Sequence, residues 1–459
     1  MAVTPSSLTT ISGLLKQFYD RPDVIQNVMI SAGPLVAELI KNSNKEAYGS
    51  TIPCPIIAGS GGGIGSVIAQ VTVNSAPAQT QNFLLTKGSS WFAGQIGQQV
   101  LEASANAPEG AFLADGILEV DAKKKRYMQY LAHLMYSDGT GTLFQLGATA
   151  SLTATFIQLD DVLLAAKVQQ GDVLQYSSTR GGAPGDGGNV GYVLGITLFG
   201  TSAGQISVSN AQNGAPTALN VIWPSIANNA HLVIAGDQTA AISDGGLGPA
   251  VMTGIMGWTG TTALYGVTAA ARLANPAFLS VQIIDCTSNA GALNLQTIRQ
   301  SITVATAQLM TVSGKPTKAL LSPSAWFRLS SELQTAGMYP GGKGQGPSGE
   351  GSFGFSSLVL PTPMGDIEVV ADPQCLVSLE ASTYPIANGY SGANVCFLLE
   401  EDTMELYTMG ELGKLDAIGT DDNSYFLRTG AGSYAYQGSG FGQFGFHAPG
   451  HSAIVLLPQ

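Results

Sequence analysis

The sequence predicts an α+β fold, and three features predict it: one long charged helix, period-two segments on either side of it, and glycine turns throughout. The helix is expected between Pro108 and Ser137, opened by Pro108 and closed by Gly139 and Gly141. Leu113, Ile117, Val120, Tyr127, Leu131 and Leu134 recur at three- and four-residue steps, with Lys124 interrupting the stripe. Glu119 to Lys123 and Asp121 to Lys125 are acid-to-base pairs in the favourable orientation, so the opposite face is expected to stay polar.

Ahead of this helix, residues 1–48 read as an arm of short helices, Ser6–Tyr19 and Pro34–Asn42, broken at Pro22. Residues 49–93 read as a long β-hairpin. Val67, Ala69, Val71 and Val73 alternate as its first strand, Asn74 to Pro77 turn, and Thr80–Thr86 returns. Gly59–Gly65 is expected to bend its root. A lone hairpin is marginal in water and its edges invite pairing, which implies cover from a neighbouring subunit. Gln95–Ser104 reads as a short helical stretch.

Beyond the long helix, residues 156–244 are the most β-like region. Val162–Val168, Val173–Tyr176, Val190–Leu198, Gln205–Val208 and Leu232–Ile234 suggest a small inserted sandwich or barrel. Residues 292–310 form another helix candidate. Ala319–Leu321 reads as a strand, and Ser322-Pro323 starts a helix running to about Thr335. Gly337–Gly351 is a glycine-dense loop; Val359–Val370 and Val395–Tyr407 read as strands of a final sheet. The tail 430–450 is rich in glycine and aromatics, and Ala453–Leu457 closes as one more strand.

Only 11% of the 459 residues are charged, against roughly 25% in an ordinary soluble domain. A chain so poor in charge is expected to hide much of its outside against other chains, because interface cores are depleted in charge. The net charge of −12 argues against a nucleic-acid-binding groove, and the single basic run, Lys123 to Arg126, reads as a solvated helix face. Cys54, Cys286, Cys375 and Cys396 are far apart, which fits reduced, buried thiols in a cytosolic setting. The first residues lack a signal peptide's basic start and apolar run, and nothing is apolar enough to span a membrane.

Motifs that suggest chemistry fail on context. Gly200-Thr201-Ser202-Ala203-Gly204 matches a nucleophile elbow, yet a strand follows where a helix is needed. Gly337 to Gly344 nearly spells a phosphate loop, but Gly344 stands where the magnesium-holding hydroxyl belongs. His447 and His451 have metal-like spacing on a helix, which Pro449-Gly450 precludes. Asp160-Asp161 and Glu400-Glu401-Asp402 read as solvated turns. No catalytic, cofactor or metal site is assigned.

The order of elements resembles the major capsid proteins of tailed bacteriophages with the Hong Kong 97-type fold. Pro34 to Ile40, then Gly49 and the hairpin, is similar to that family's N-terminal arm and extended loop. Phe83 to Ser104, running into Ala111–Ser137, resembles the loop's return and the spine helix of the peripheral domain. Lys318 to Trp326 resembles the strand and helix of the axial domain, and Thr362 to Pro373 with Leu398–Gly410 the segment returning to the peripheral sheet.

The resemblance implies an arm (1–48), an extended loop (49–93), a peripheral domain (94–155 and 352–459), an inserted β domain (156–244) and an axial domain (245–351). It implies a structural protein that is no enzyme and needs no cofactor. Such a protein self-assembles into hexamers and pentamers of a shell around double-stranded DNA, which it binds without sequence specificity. Contacts between subunits are expected at Val67, Ala69, Val71, Phe83, Leu85, Trp91, Arg126 and Tyr127. Lys87 has no assigned cross-linking partner. Other partners implied are a separate scaffolding protein, since the arm begins almost at Met1, a portal and cement proteins. The protein would reside in the virion capsid after assembly in the host cytoplasm. A cellular enzyme-holding shell with the same fold, and a secreted glycine-rich β-hydrolase or adhesin, are the rival expectations.

Overall fold

The computed structural model describes residues 33–41, 51–59, 61–98, 115–147, 150–159, 161–198, 204–237, 251–260, 262–288, 292–335, 357–377, 379, 392–409, 412–415, 427–429 and 433–458. The expected Ser6–Tyr19 helix, the start of the long helix and the 337–351 loop lie outside them. The chain forms two compact units. One comprises Met1–Ala47, Ser89–Ala132 and Tyr407–Gly442; the other Tyr48–Gly88, His133–Leu406 and Gln443–Gln459.

The first unit contains the short helix Pro34–Lys41, with Leu35, Val36 and Leu39 buried, and most of the long helix Asp115–Tyr136. Lys123, Lys124 and Lys125 are exposed, and Tyr127 and Leu131 are buried. The polar face does not persist to the end of the helix, for every residue from Leu131 to Tyr136 is buried.

A 14-residue strand, Ser433–Phe446, pairs with Met404–Thr408, Lys414–Leu415, Leu427–Thr429 and Gly88–Gly97 in one sheet. The tail read only as glycine-rich is this strand, and Gln95–Gly97, read as helical, ends the 88–97 strand. The glycines disguise the strand because they make room. A Cβ on Gly440 would sit 2.1 Å from the Tyr127 hydroxyl, and one on Gly438 would sit 2.3 Å from the Phe92 ring. Phe92 and Tyr127 stack at 5.1 Å in the space this leaves. Ser90 Oγ donates to the Gly440 carbonyl at 3.1 Å, so the Tyr127 hydroxyl, 2.7 Å away, donates to Ser90.

The second unit holds a six-stranded sheet in the order Gln282–Asp285, Ala453–Leu456, Val395–Leu399, Lys318–Leu321, Gly365–Ala371, Ser357–Thr362. Gln282–Asp285 runs parallel to Ala453–Leu456, and Lys318–Leu321 parallel to Gly365–Ala371; the other neighbours are antiparallel. The three strands nearest the middle, KALL, VCFLL and AIVL, are buried along their whole length, which is why they read as unbroken apolar runs.

Helices Ile298–Leu309 and Pro323–Thr335 pack on this sheet. The Thr297 hydroxyl caps the first, accepting from Gln300 N, and the Glu332 carboxylate accepts from Ile298 N at 3.0 Å. Ser322 caps the second, accepting from Ala325 N at 3.2 Å. Residues 357–371, 395–399 and 453–456 thus share one sheet with 318–321, although they are distant in sequence.

The inserted β domain is a closed barrel. Its strands run in the order Thr142–Gln145, His231–Ile234, Val173–Ser177, Gly191–Thr197, Gln205–Ser209, Phe156–Gln158, all antiparallel. A bridge between Leu146 and Leu159, with Gly147 N donating to Gln158 O at 3.0 Å, joins the last strand to the first. Thr142–Gln145, ahead of residue 156, is thus one of its strands. Val162–Lys167, read as a strand, is a 3-10 helix capped by Asp161, whose carboxylate accepts from Leu163 N at 3.1 Å.

Lys167 is buried, and its ammonium donates to the Leu143 carbonyl at 3.2 Å. Burial first, and the Arg180 guanidinium second, pull its pKa down to about 8, against opposing pulls from Asp138 and Asp161. A folded pKa below the unfolded one means the unfolded chain binds more protons between the two values. Stability is therefore expected to rise as pH increases from about 8 towards 10.5. Lys167→Met should abolish that rise, which subtracting the two melting-temperature profiles against pH would reveal.

Candidate functional site

From Thr51 to Thr86 the chain carries no Asp, Glu, Lys or Arg. This segment forms an antiparallel hairpin of Thr51–Gly59 with Gln79–Thr86, in register from Thr51 opposite Thr86 to Ile57 opposite Thr80. Side chains alternate across it. Ile52, Cys54, Ile56, Phe83 and Leu85 point inward and are buried. Phe83 meets Trp258 at 5.0 Å, and Trp258 also meets Phe446 at 5.6 Å and Tyr265 at 6.0 Å.

The opposite face is solvent-exposed, with Pro53 and Pro55 beside Ile57 at 65% and Leu84 at 43% exposure. Between the strands, Ile68–Val73 is a one-turn helix with no buried residue. This overturns the expected strand over 67–73. The strand 51–59 already pairs with 79–86, so an extended 67–73 would find no ladder partner. Coiling satisfies it locally: Val71 N donates to Val67 O at 3.0 Å, Asn74 N to Gln70 O at 2.9 Å, and the Thr72 hydroxyl to Ile68 O at 2.9 Å.

Gly59–Gly65 lies at the tip end of the hairpin rather than its root. Gly61, at φ +81°, lets the chain pass where a Cβ would stand 2.2 Å from Ala76 O. The tip then presents Ile64 at 97%, Val73 at 83%, Ile68 at 80% and Val67 at 52% exposure. Large aliphatics left in water at this density mark an interaction surface.

The expected contact residues divide. Val67 and Ala69 are exposed and Val71 half-buried, all on the tip. Trp91 is 55% exposed and meets Phe441 edge-on at 5.3 Å; Arg126 is half-buried. Phe83, Leu85 and Tyr127 are buried in their own chain and offer a neighbour no side-chain surface, because they lie on the inward faces of their elements. Ile57, Ile64, Ile68, Val73 and Leu84, outside that set, are the other large exposed aliphatics of this uncharged segment.

Groups that could do chemistry have structural partners instead. Cys54, His447 and Glu405 line up, with Cys54 Sγ 3.7 Å from His447 Nδ1 and His447 Nε2 3.0 Å from Glu405 Oε2. The thiol is wholly buried and donates to the Phe446 carbonyl, and burial pushes its pKa up to about 11, so it stays protonated and enclosed. All four cysteines are free and buried. Asp161 Oδ2 accepts from Gly392 N, Glu400 from Lys315 N, and Glu401 pairs with Lys318. Strands 191–197 and 205–209 pair as a hairpin across the elbow-like sequence, whose residues 200–203 lie outside the described ones. Among the described residues, no group of three or more His, Cys, Asp and Glu is placed to hold a metal, and no helix is long and apolar enough to cross a membrane.

No protein-family model and no curated protein matches the sequence. Solved structures match its shape over nearly its whole length. The capsid of cyanophage A-1(L) aligns with 98% of this chain and 99% of its own at 12% identity and a TM-score of 0.50. The capsid of a native GTA particle aligns at 9% identity over 99% of each chain, with a TM-score of 0.44. An encapsulin from Synechococcus elongatus aligns with 38% of this chain and 52% of its own, at 10% identity and a TM-score of 0.22. The mixed sheets and long helix, matched end to end by the cyanophage structure, give this chain the fold of a bacteriophage capsid protein.

Proposed function

We propose that this chain is the major capsid protein of a tailed bacteriophage, with the Hong Kong 97-type arrangement of arm, extended loop, peripheral and axial domains. It assembles into hexamers and pentamers of an icosahedral shell around double-stranded DNA. One observation carries this reading: on a phage-capsid fold, an uncharged hairpin holds its aliphatic tip in solvent. Burying such a tip is worth roughly 25 cal/mol per Å² of apolar surface. A second copy offers that burial repeatedly, since a heterologous contact whose rotation closes builds rings. Each contact can be weak because many act together.

In this reading the hairpin covers a neighbouring subunit, residues 1–48 tie capsomers together, and the barrel projects from the shell. The work of the chain is structural, with no chemical step. Scaffolding, portal and cement proteins are further partners, and assembly takes place in the host cytoplasm before the protein resides in the virion.

Electron microscopy of the purified protein tests this. Closed icosahedral particles are expected, with nuclease-protected DNA in those taken from infected cells. Protein that stays monomeric at high concentration would refute the proposal, and particles packed with an enzyme instead of DNA would move it to the cellular shells.

A further inference from the structure

The two edges of the hairpin are unequal. Leu84 N donates outward to Tyr265 O at 2.8 Å, so Leu84 and its opposite, Pro53, form a non-hydrogen-bonded pair. By alternation the outward backbone groups belong to Thr51, Pro53, Pro55 and Ile57 on one strand, and to Thr80, Asn82, Leu84 and Thr86 on the other. Pro53 and Pro55 have no N–H, so the first edge is blunted at two successive outward positions.

The second edge is occupied only near its base. Tyr265 serves Leu84 from a two-residue turn, where Tyr265 and Gly266 stand at φ 47° and 83°, and Gln443 Nε2 donates to Thr86 O at 2.9 Å. Further out, Gln79, Thr80 and Asn82 are exposed, and among the described residues nothing pairs with the outward groups of Thr80 and Asn82. That half-edge has no proline and no charge, the usual guards against strand addition.

We propose that Gln79–Phe83 accepts an extended segment from a second copy of this chain, adding a third strand to the hairpin. This rests on the assembly reading above and names how part of that contact is made. The half-edge leads directly into the aliphatic tip, so one neighbour covers both. The uncharged stretch gives no electrostatic selection for an acidic or basic foreign peptide. Because the opposite edge is blunted, addition is one-sided. It joins one copy to the next without propagating into an open-ended sheet. Main-chain hydrogen bonds give the affinity, and the flanking Ile57 and Leu84 supply apolar contact.

Amide hydrogen exchange on free subunits and on assembled shells tests the pairing. Thr80 and Asn82 should gain protection of about tenfold or more on assembly. Shells in which both amides exchange as in free subunits would overturn the pairing while leaving the capsid reading standing. Wild-type protein that never assembles would overturn both. As a second arm, Asn82→Pro removes only an outward N–H and spares the hairpin's own bonds. It should leave the melting temperature of the free subunit unchanged and weaken each contact by about fivefold, as loss of one hydrogen bond would. Assembly of this variant at the wild-type critical concentration would count against the proposal.

Discussion

A subunit carrying Ile64→Asp, Ile68→Asp and Val73→Asp is expected to fold normally and fail to assemble. The three side chains are 97%, 80% and 83% exposed, so replacing them removes little internal contact. Surface changes of this kind usually stay within about ±0.5 kcal/mol of stability. In the assembled state the outcome reverses. Each aliphatic forfeits about 1.5–3 kcal/mol of burial, and each carboxylate must be desolvated or left facing water. A loss of about 4 kcal/mol per contact is roughly a thousandfold, and it recurs at every copy in the shell. Sedimentation velocity should show subunits or small rings in place of particles, beside an unaltered thermal melt. Particles of normal yield from the triple variant would mean that the tip faces solvent in the shell.

Trp258→Ala should act in the opposite way, through the fold. Trp258 is fully buried where Phe83, Tyr265 and Phe446 converge, and its carbonyl accepts from Arg272 Nη2 at 2.8 Å and Val281 N at 3.0 Å. Its indole N–H has no hydrogen-bond partner among the described residues, so the side chain serves by volume. Truncating a buried Trp to Ala costs about 3–5 kcal/mol. Total stability is only about 5–15 kcal/mol, so much of the margin would go. Urea denaturation should show the midpoint falling with little change in slope. The hairpin's inward face loses its anvil at the same time, so limited proteolysis between Gly61 and Ala78 should quicken. A loss below about 1 kcal/mol would show that the surrounding rings collapse into the space.

Where local chemistry settles structure, the sequence was legible. Ser322-Pro323 announced the helix Pro323–Thr335 because a hydroxyl cap and a proline at the first turn act within a few residues. Val395–Leu399 and Ala453–Leu456 were legible because a strand buried on both faces needs an unbroken apolar run. Barrel strands at Val173, Gly191, Gln205 and His231 showed through the turns between them. Elements whose conformation depends on a distant partner were not. Val67–Val73 has a β-prone composition, yet coils because its would-be partner is already paired. Ser433–Phe446 has the glycines of a loop, yet extends because Phe92 and Tyr127 need the space those glycines leave.

By itself, then, the sequence determined the α+β class, the uncharged hairpin segment and the order of elements that resembles a phage capsid protein. Only the tertiary structure decided which side of the hairpin is surface. Phe83 and Leu85 differ from Leu84 by a single step of the strand, and that step separates core from solvent. Composition and period are properties of neighbours along the chain, whereas facing and edge pairing are set by what arrives from residues such as Trp258, Tyr265 and Gln443, far away in sequence.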